Sequence, residues 1–191
     1  LESERMKELV QELLDVARGD LADNKETVRE DINLSELVND ELLVWDPVFF
    51  EAGKGIDSHI DDDIHITGDA SKLRKLVSIL VDNALKYSIP ESTIKVELLC
   101  TGKESTKKAV KAAKSKHNVV LNVSNNGTPL SDEECSLIFE RFYRADESRE
   151  STPGYGLGLS IAESIVREHG GTITAYSDHN DTNTFSIRFA S

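Results

Sequence analysis

The sequence predicts an α/β (α+β) domain, a two-layer sandwich in which a mixed β-sheet carries helices on one face. Three observations point there. Segments with apolar residues every three to four positions interleave with segments that alternate apolar and polar residues. The first period is that of a helix burying one face, the second that of a strand facing a core on one side. The chain closes on two alternating runs, and 191 residues suffice for one domain of common size plus an extra element.

The first expected element is an amphipathic helix within residues 1–19. Met6, Leu9, Val10, Leu13, Leu14 and Ala17 form one apolar stripe, and Gly19 can end it. A lone helix this short is marginal in water, so the stripe needs a partner helix or the globular body. The chain opens at Leu1 in mid-pattern without a signal-peptide profile, so a fragment separated from its partner helix is expected. Residues 20–30 are polar and read as a linker; the globular domain is expected over residues 31–191.

Within that domain a helix is expected from Leu34 to about Trp45, with Leu34, Leu37, Val38, Glu41 and Leu42 along one side and Pro47 stopping it. Strand-like runs follow at residues 55–60 and 64–67. Asp69 is a good N-cap for a helix carrying Leu73, Leu76, Val77, Leu80 and Ala84. Alternation predicts strands at residues 94–98 and 119–123. Between them, six lysines and small residues from Lys103 to Lys116 read as a solvated hairpin extension or a basic docking patch. Residues 127–156 are irregular except for a helix opened by Ser131-Asp132-Glu133-Glu134, which has capping-box form. A helix from about Gly156 to Glu168 and strands at residues 172–176 and 184–190 complete the chain, with Phe185, Ile187 and Phe189 pointing inward.

Composition narrows the function. A net charge of −13 argues against a nucleic-acid binder, whose affinity comes from clustered Lys and Arg on phosphates, but leaves room for a small anion in a local positive pocket. Cys100 and Cys135 lack CxxC neighbours, which argues against a zinc site or disulfide framework. No apolar run approaches the ~20 residues that span a bilayer.

Three stretches can carry chemistry. In LVDNALKYS (residues 80–88), Asn83, Lys86 and Tyr87 share a helix face, and Asn83 edges into the apolar stripe. An amide oxygen, a lysine and an aromatic face suit a magnesium nucleotide; alone, they equally describe a polar margin beside a core helix. In GYGLGLSIAESIVREHGG (residues 154–171), Gly154, Gly156 and Gly158 precede or open a helix whose free amides could hold phosphate. The stretch has neither the GKS/T ending of a P-loop nor the strand that precedes a dinucleotide fingerprint. In SNNGTPLS (residues 124–131), Asn125 and Gly127 stand where a strand becomes a loop; an amide there could read a base, and Asn-Asn-Gly is also simply a good turn.

In this order the three stretches resemble the ATP-binding catalytic domain of bacterial sensor histidine kinases. LVDNALKYS is similar to the family's asparagine box, SNNGTPL to its first glycine box and GYGLGL to its second. IFERFYRADESR (residues 138–149) is similar to its phenylalanine box through Phe139 and Phe142. The resemblance covers about residues 30–191, and residues 1–18 resemble the second helix of the family's dimerisation and phosphotransfer hairpin. It implies ATP and Mg²⁺ as ligands. Asn83 would hold the metal, Lys86 a phosphate and Tyr87 the adenine ring. Asn125 would read the base, with Gly127 adjoining. Gly154, Gly156, Leu157, Gly158 and Leu159 would form the hinge and phosphate cradle of an ATP lid spanning about residues 127–156. Arg144 and Arg149 in that lid would contact the terminal phosphate, and Thr184 would close the base pocket.

The resemblance further implies γ-phosphoryl transfer to a histidine on the dimerisation hairpin, a homodimer formed through it, and a response regulator receiver domain as the next acceptor. The parent protein would be membrane-anchored, with this part on the cytoplasmic side of a bacterial plasma membrane. The sequence departs from the family at Asn125, where Asp is usual, at Pro129, where a second glycine is usual, and at Ile79, which replaces an upstream Asn. These differences are expected to retune nucleotide binding. The acceptor pattern is a His followed by an acidic residue. His59, His65, His117, His169 and His179 are followed by Ile, Ile, Asn, Gly and Asn, so the acceptor is expected outside this chain and self-phosphorylation is not. A hydrolase on the same fold would place a carboxylate base one turn before Asn83; that place is Ile79, and Asp82 is expected to point about 100° away from Asn83. A non-enzymatic nucleotide-sensing module remains the other alternative.

Overall fold

The computed structural model describes residues 29–101, 118–145, 155–178 and 181–190. The expected helix over 1–19, most of the linker, the Lys103–Lys116 segment, Arg149 and Gly154 lie outside the described residues. Among the described residues, seven strands and four helices follow in order: β1 (Glu30–Asn33), α1 (Leu34–Glu51), β2 (Gly55–Ile60), β3 (His65–Gly68), α2 (Ala70–Tyr87), β4 (Thr93–Thr101), β5 (Asn118–Asn126), α3 (Asp132–Leu137), α4 (Gly158–Glu168), β6 (Thr172–Ser177) and β7 (Thr182–Ala190).

The main sheet has the order β2-β4-β5-β7-β6. β2 runs parallel to β4 and the other neighbours are antiparallel, so the sheet is mixed as expected. One face is apolar because alternate residues of each strand share it. Ile94, Val96 and Leu98 of β4, Val119, Leu121 and Val123 of β5, and Phe185, Ile187 and Phe189 of β7 are all buried there. Against them lie Leu73, Leu76, Val77, Leu80, Val81 and Ala84 of α2 and Ile161, Ala162, Ile165 and Val166 of α4. Helices on one face of a mixed sheet are the architecture the sequence predicts.

α2 starts where the sequence places it, with the Asp69 carboxylate accepting from the amides of Ser71 and Lys72. The end of α4 ties down the same point. His169 Nδ1–H donates to the Ile165 carbonyl at 2.7 Å, which leaves Nε2 to accept from the Asp69 amide at 3.0 Å. Lys72 and Glu168 form an ion pair beside it. α3 opens with the expected capping box between Ser131 and Glu134.

Two elements differ from expectation. α1 does not stop at Pro47 but continues to Glu51 with the proline inside it. Pro removes one helical hydrogen bond and disfavours the helix by about 3 kcal/mol. Phe49, two residues on, is only 1% exposed, and burying a Phe contributes about 1.5–3 kcal/mol, so tertiary packing offsets the break. The second difference is β1, whose first residue, Glu30, falls in the expected linker and which the sequence does not predict. Only Ile32 of its four residues is buried, so there is no alternation to read; the strand exists by pairing with β3, where Ile32 meets Ile66.

Candidate functional site

α2 has two working faces. Leu73, Leu76, Val77, Leu80, Val81 and Ala84 enter the core, whereas Lys75, Ser78, Ile79, Asp82, Asn83 and Lys86 line a cavity of about 370 Å³, a volume in the range of small-ligand sites. Spacings of three and four along a helix produce both stripes at once. Asn125 at the end of β5 and Asn183 and Phe185 of β7 also line the cavity, as do Trp45, Thr128, Pro129, Leu130, Glu134, Ile138, Tyr143, Arg144 and Ala145. Tyr87 closes the α2 stripe, and Tyr155, Gly156, Gly158 and Leu159 belong to the wall beside α4.

The cavity has a polarity along α2. At its C-terminal turn, the position of a Cβ on Gly127 would lie 2.4 Å from the Tyr87 carbonyl oxygen, 3.1 Å from Asn125 Nδ2 and 3.5 Å from Asn183 Nδ2. The two carboxamides therefore stand beside Tyr87. Near the helix middle, a Cβ on Gly158 would lie 3.5 Å from Ile79 Cγ2, so the N-terminus of α4 abuts Ile79. That terminus has no side-chain cap, leaving its first amides for a ligand. At 1.5 Å per residue, Ile79 and Tyr87 are about 12 Å apart, with Asn83 midway.

Of the residues singled out from sequence, Asn83, Lys86, Tyr87, Asn125, Arg144, Gly156, Gly158 and Leu159 come together around this cavity. Gly127 is buried just behind it, held against the Tyr87 carbonyl. Two differ from expectation. Leu157 is 0% exposed, its side chain in the core. Thr184 faces the other side of the sheet, where its hydroxyl meets Ser124 Oγ at 2.9 Å, and the cavity-facing residue of that strand is its neighbour Asn183. Asp82 also lines the cavity with Asn83, so the rotation of 100° between them does not remove it. Its carboxylate accepts from Lys86 Nζ at 2.6 Å.

Lys75, Ser78, Asp82, Trp45 and Asn183 line the cavity and are not among the site residues expected from sequence. For the first three the signal was the helical spacing around Asn83; for Asn183 it was the inward parity of Phe185 two positions on.

The two described ends of the expected lid meet. Phe142 N–H donates to the Gly156 carbonyl at 2.9 Å, and Gly156 has a φ of 72°. A Cβ there would lie 2.7 Å from the Tyr143 carbonyl oxygen, so glycine is required on two counts.

A family model described as histidine kinase-, DNA gyrase B-, and HSP90-like ATPase matches residues 68–191. The sensor protein DltS of Streptococcus agalactiae is 34% identical over 177 residues, covering 93% of this chain and 41% of that protein. The sensor histidine kinase CusS of Escherichia coli is 34% identical over 185 residues, covering 93% of this chain and 34% of that one. The chain thus spans less than half the length of these curated relatives. Among solved structures, a mycobacterial sensor histidine kinase, MprB, superposes with a TM-score of 0.65 at 23% identity, over 85% of this chain and 97% of that one; this likeness bears on the fold. With the motif residues gathered on one cavity, the chain belongs to the histidine kinase-, DNA gyrase B-, and HSP90-like ATPase family, as a catalytic ATP-binding domain of the sensor histidine kinase type.

Proposed function

We propose that this domain binds ATP with Mg²⁺ and donates the γ-phosphoryl group to a histidine on a helical hairpin of the whole protein. The observation that carries the reading is the order of chemistry along α2. Carboxamides at Tyr87, an amide oxygen at Asn83 and free helix amides at Ile79 follow the order of base, metal-bridged phosphates and phosphate tail. Asn83 supplies the protein's oxygen ligand to Mg²⁺. When bound, Mg²⁺ neutralises phosphate charge. Tyr87 lies against the base. Lys86 and Arg144 face the phosphates, and Gly156 and Gly158 let the helix start approach them; Arg149 and Gly154, outside the described residues, take the same roles on the resemblance alone.

Transfer needs little covalent work from the domain. The acceptor imidazole nitrogen forms a bond to the γ-phosphorus while the bond to the bridging oxygen breaks, and ADP leaves. In the whole protein the phosphoryl group then passes to the Asp of a response regulator receiver domain. A homodimeric hairpin and a membrane anchor, with this domain on the cytoplasmic side, complete that assembly.

Hydrolysis is disfavoured because Ile79 stands where a water-activating carboxylate would be needed. The test has two parts. Asn83→Ala should abolish magnesium-dependent ATP binding in titration calorimetry with the fold retained; unchanged binding would remove Asn83 from the site. Labelled ATP should place acid-labile phosphate on a separately supplied acceptor hairpin. Bound ATP without transfer would overturn the kinase reading in favour of a nucleotide-sensing module.

A further inference from the structure

Three cationic side chains line the cavity, and Lys75 differs from the other two. Lys86 is tied to Asp82 at 2.6 Å, and Arg144 has an interaction of its own. Lys75 forms no hydrogen bond or ion pair among the described residues. It is exposed, so its ammonium keeps its hydration and its charge costs the fold little. Its position gives that charge a direction. Lys75, Ile79, Asn83 and Tyr87 recur every four residues along α2 and all line the cavity. Tyr87 stands at the base, Asn83 at the metal and Ile79 at the phosphate tail. Lys75 is the next turn, about 6 Å beyond Ile79 at 1.5 Å per residue. Ile79 offers the tail neither charge nor hydrogen bond. A lysine ammonium on its flexible four-carbon stem can swing back across that turn.

Resting on the nucleotide reading above, we infer that Lys75 is a specificity-determining residue, whose ammonium neutralises the terminal phosphoryl group and so separates ATP from ADP. The charge balance of the wall supports this. Lys75, Lys86 and Arg144 stand against the carboxylates of Asp82 and Glu134, an excess of one positive charge in a chain of net charge −13. Without Lys75 the wall has no excess to offer a polyphosphate. The excess also lies at one end. ADP, shorter by one phosphoryl group, stops near Asn83 and leaves Lys75 in water, whereas the terminal group of ATP reaches the Ile79 turn and comes within range of the ammonium. When the phosphoryl group moves to its acceptor, Lys75 loses its partner, so the residue holds substrate more than product. Because the contact is exposed, dissolved salt screens it.

The test is calorimetry of Mg-ATP and Mg-ADP on the 191-residue chain, Lys75→Met and Lys75→Arg. Lys75→Met should weaken Mg-ATP by roughly five- to tenfold, a charged hydrogen bond discounted for exposure, and leave Mg-ADP within twofold. Lys75→Arg keeps the charge and should restore the ratio of the two affinities to within about threefold of the unmodified chain. Raising ionic strength should narrow that ratio in the unmodified chain and leave it nearly constant in Lys75→Met. Urea midpoints of both variants should match the unmodified chain, since the side chain has no partner to lose. Equal weakening of ATP and ADP in Lys75→Met, or weakening of neither, would overturn this inference and leave the nucleotide reading standing. A ratio that Lys75→Arg fails to restore would do the same, as would a fallen urea midpoint in Lys75→Met, which would make Lys75 a structural residue. No binding of either nucleotide by the unmodified chain would overturn the nucleotide reading and this inference together.

Discussion

Two glycines beside the cavity look alike in sequence and are there for different reasons. At Gly127 a Cβ would meet the Tyr87 carbonyl oxygen at 2.4 Å, a backbone atom that cannot turn aside. Gly127→Ala must separate the end of β5 from the end of α2, and overpacking of this kind typically costs about 1–3 kcal/mol. Its urea midpoint should fall and nucleotide affinity should fall with it. At Gly158 the same Cβ would make an ordinary 3.5 Å contact with Ile79. Gly158→Ala should leave stability unchanged or raise it by up to about 1 kcal/mol, while weakening Mg-ATP binding because a methyl group stands where phosphate approaches the helix start. Equal loss of stability in both variants would show that Gly158 is a folding residue and not part of the cradle. Thr184 and Asn183 teach a related lesson. They are adjacent, and in a strand adjacency means opposite faces; once Phe185 is inward, Asn183 is inward and Thr184 is not.

At the scale of elements, α1 shows packing overriding local preference. The carbonyl of Leu43 loses its helical partner at Pro47, and Leu43 is largely exposed, so water can serve that carbonyl. Two residues beyond the proline, Phe49 is sealed in the core. The two residues should therefore shift stability in opposite directions. Phe49→Ala should cost about 3–5 kcal/mol, and Pro47→Ala should raise stability by an amount below about 3 kcal/mol, both read from urea midpoints. A stabilising Phe49→Ala, or no loss from it, would mean that the last turn of α1 is not held by the core. α2 is the opposite case, because sequence and structure agree from its Asp69 cap to Tyr87. One helix carries both the core stripe and the site stripe, which is why its functional face was legible beforehand.

At the scale of the molecule, the cavity joins α1, α2, the end of β5, the segment after it, the start of α4 and β7. A ligand seated there should hold these parts together. At a ligand concentration 100 times Kd the native state gains about 2.7 kcal/mol, which for a chain of this size corresponds to a rise in Tm of roughly 5–10 °C. Thermal unfolding with Mg-ATP against ATP plus chelator measures it, and a rise independent of magnesium would place the metal elsewhere. The chain alone should show neither self-phosphorylation nor appreciable phosphate release, since none of its histidines has the acceptor pattern and Ile79 occupies the base position. Rapid release by a purified, contaminant-controlled preparation would point to a hydrolase.

What the sequence by itself determined is local and periodic. The stripe of α2, the capping box of α3, the alternation of β4, β5 and β7 and the glycines before α4 each depend on residues within a few positions of one another, where helix and strand geometry leave little choice. Those patterns sufficed for the architecture and for most of the cavity's residues. What only the tertiary structure decided is long-range. β1 exists because β3 lies beside it, and α1 passes Pro47 because the core receives Phe49. The pairing of Asn125 with Asn183 across 58 positions of chain belongs here too. The physical reason is that burial and hydrogen-bond completion are properties of an assembled environment, and a single stretch of chain does not specify its neighbours.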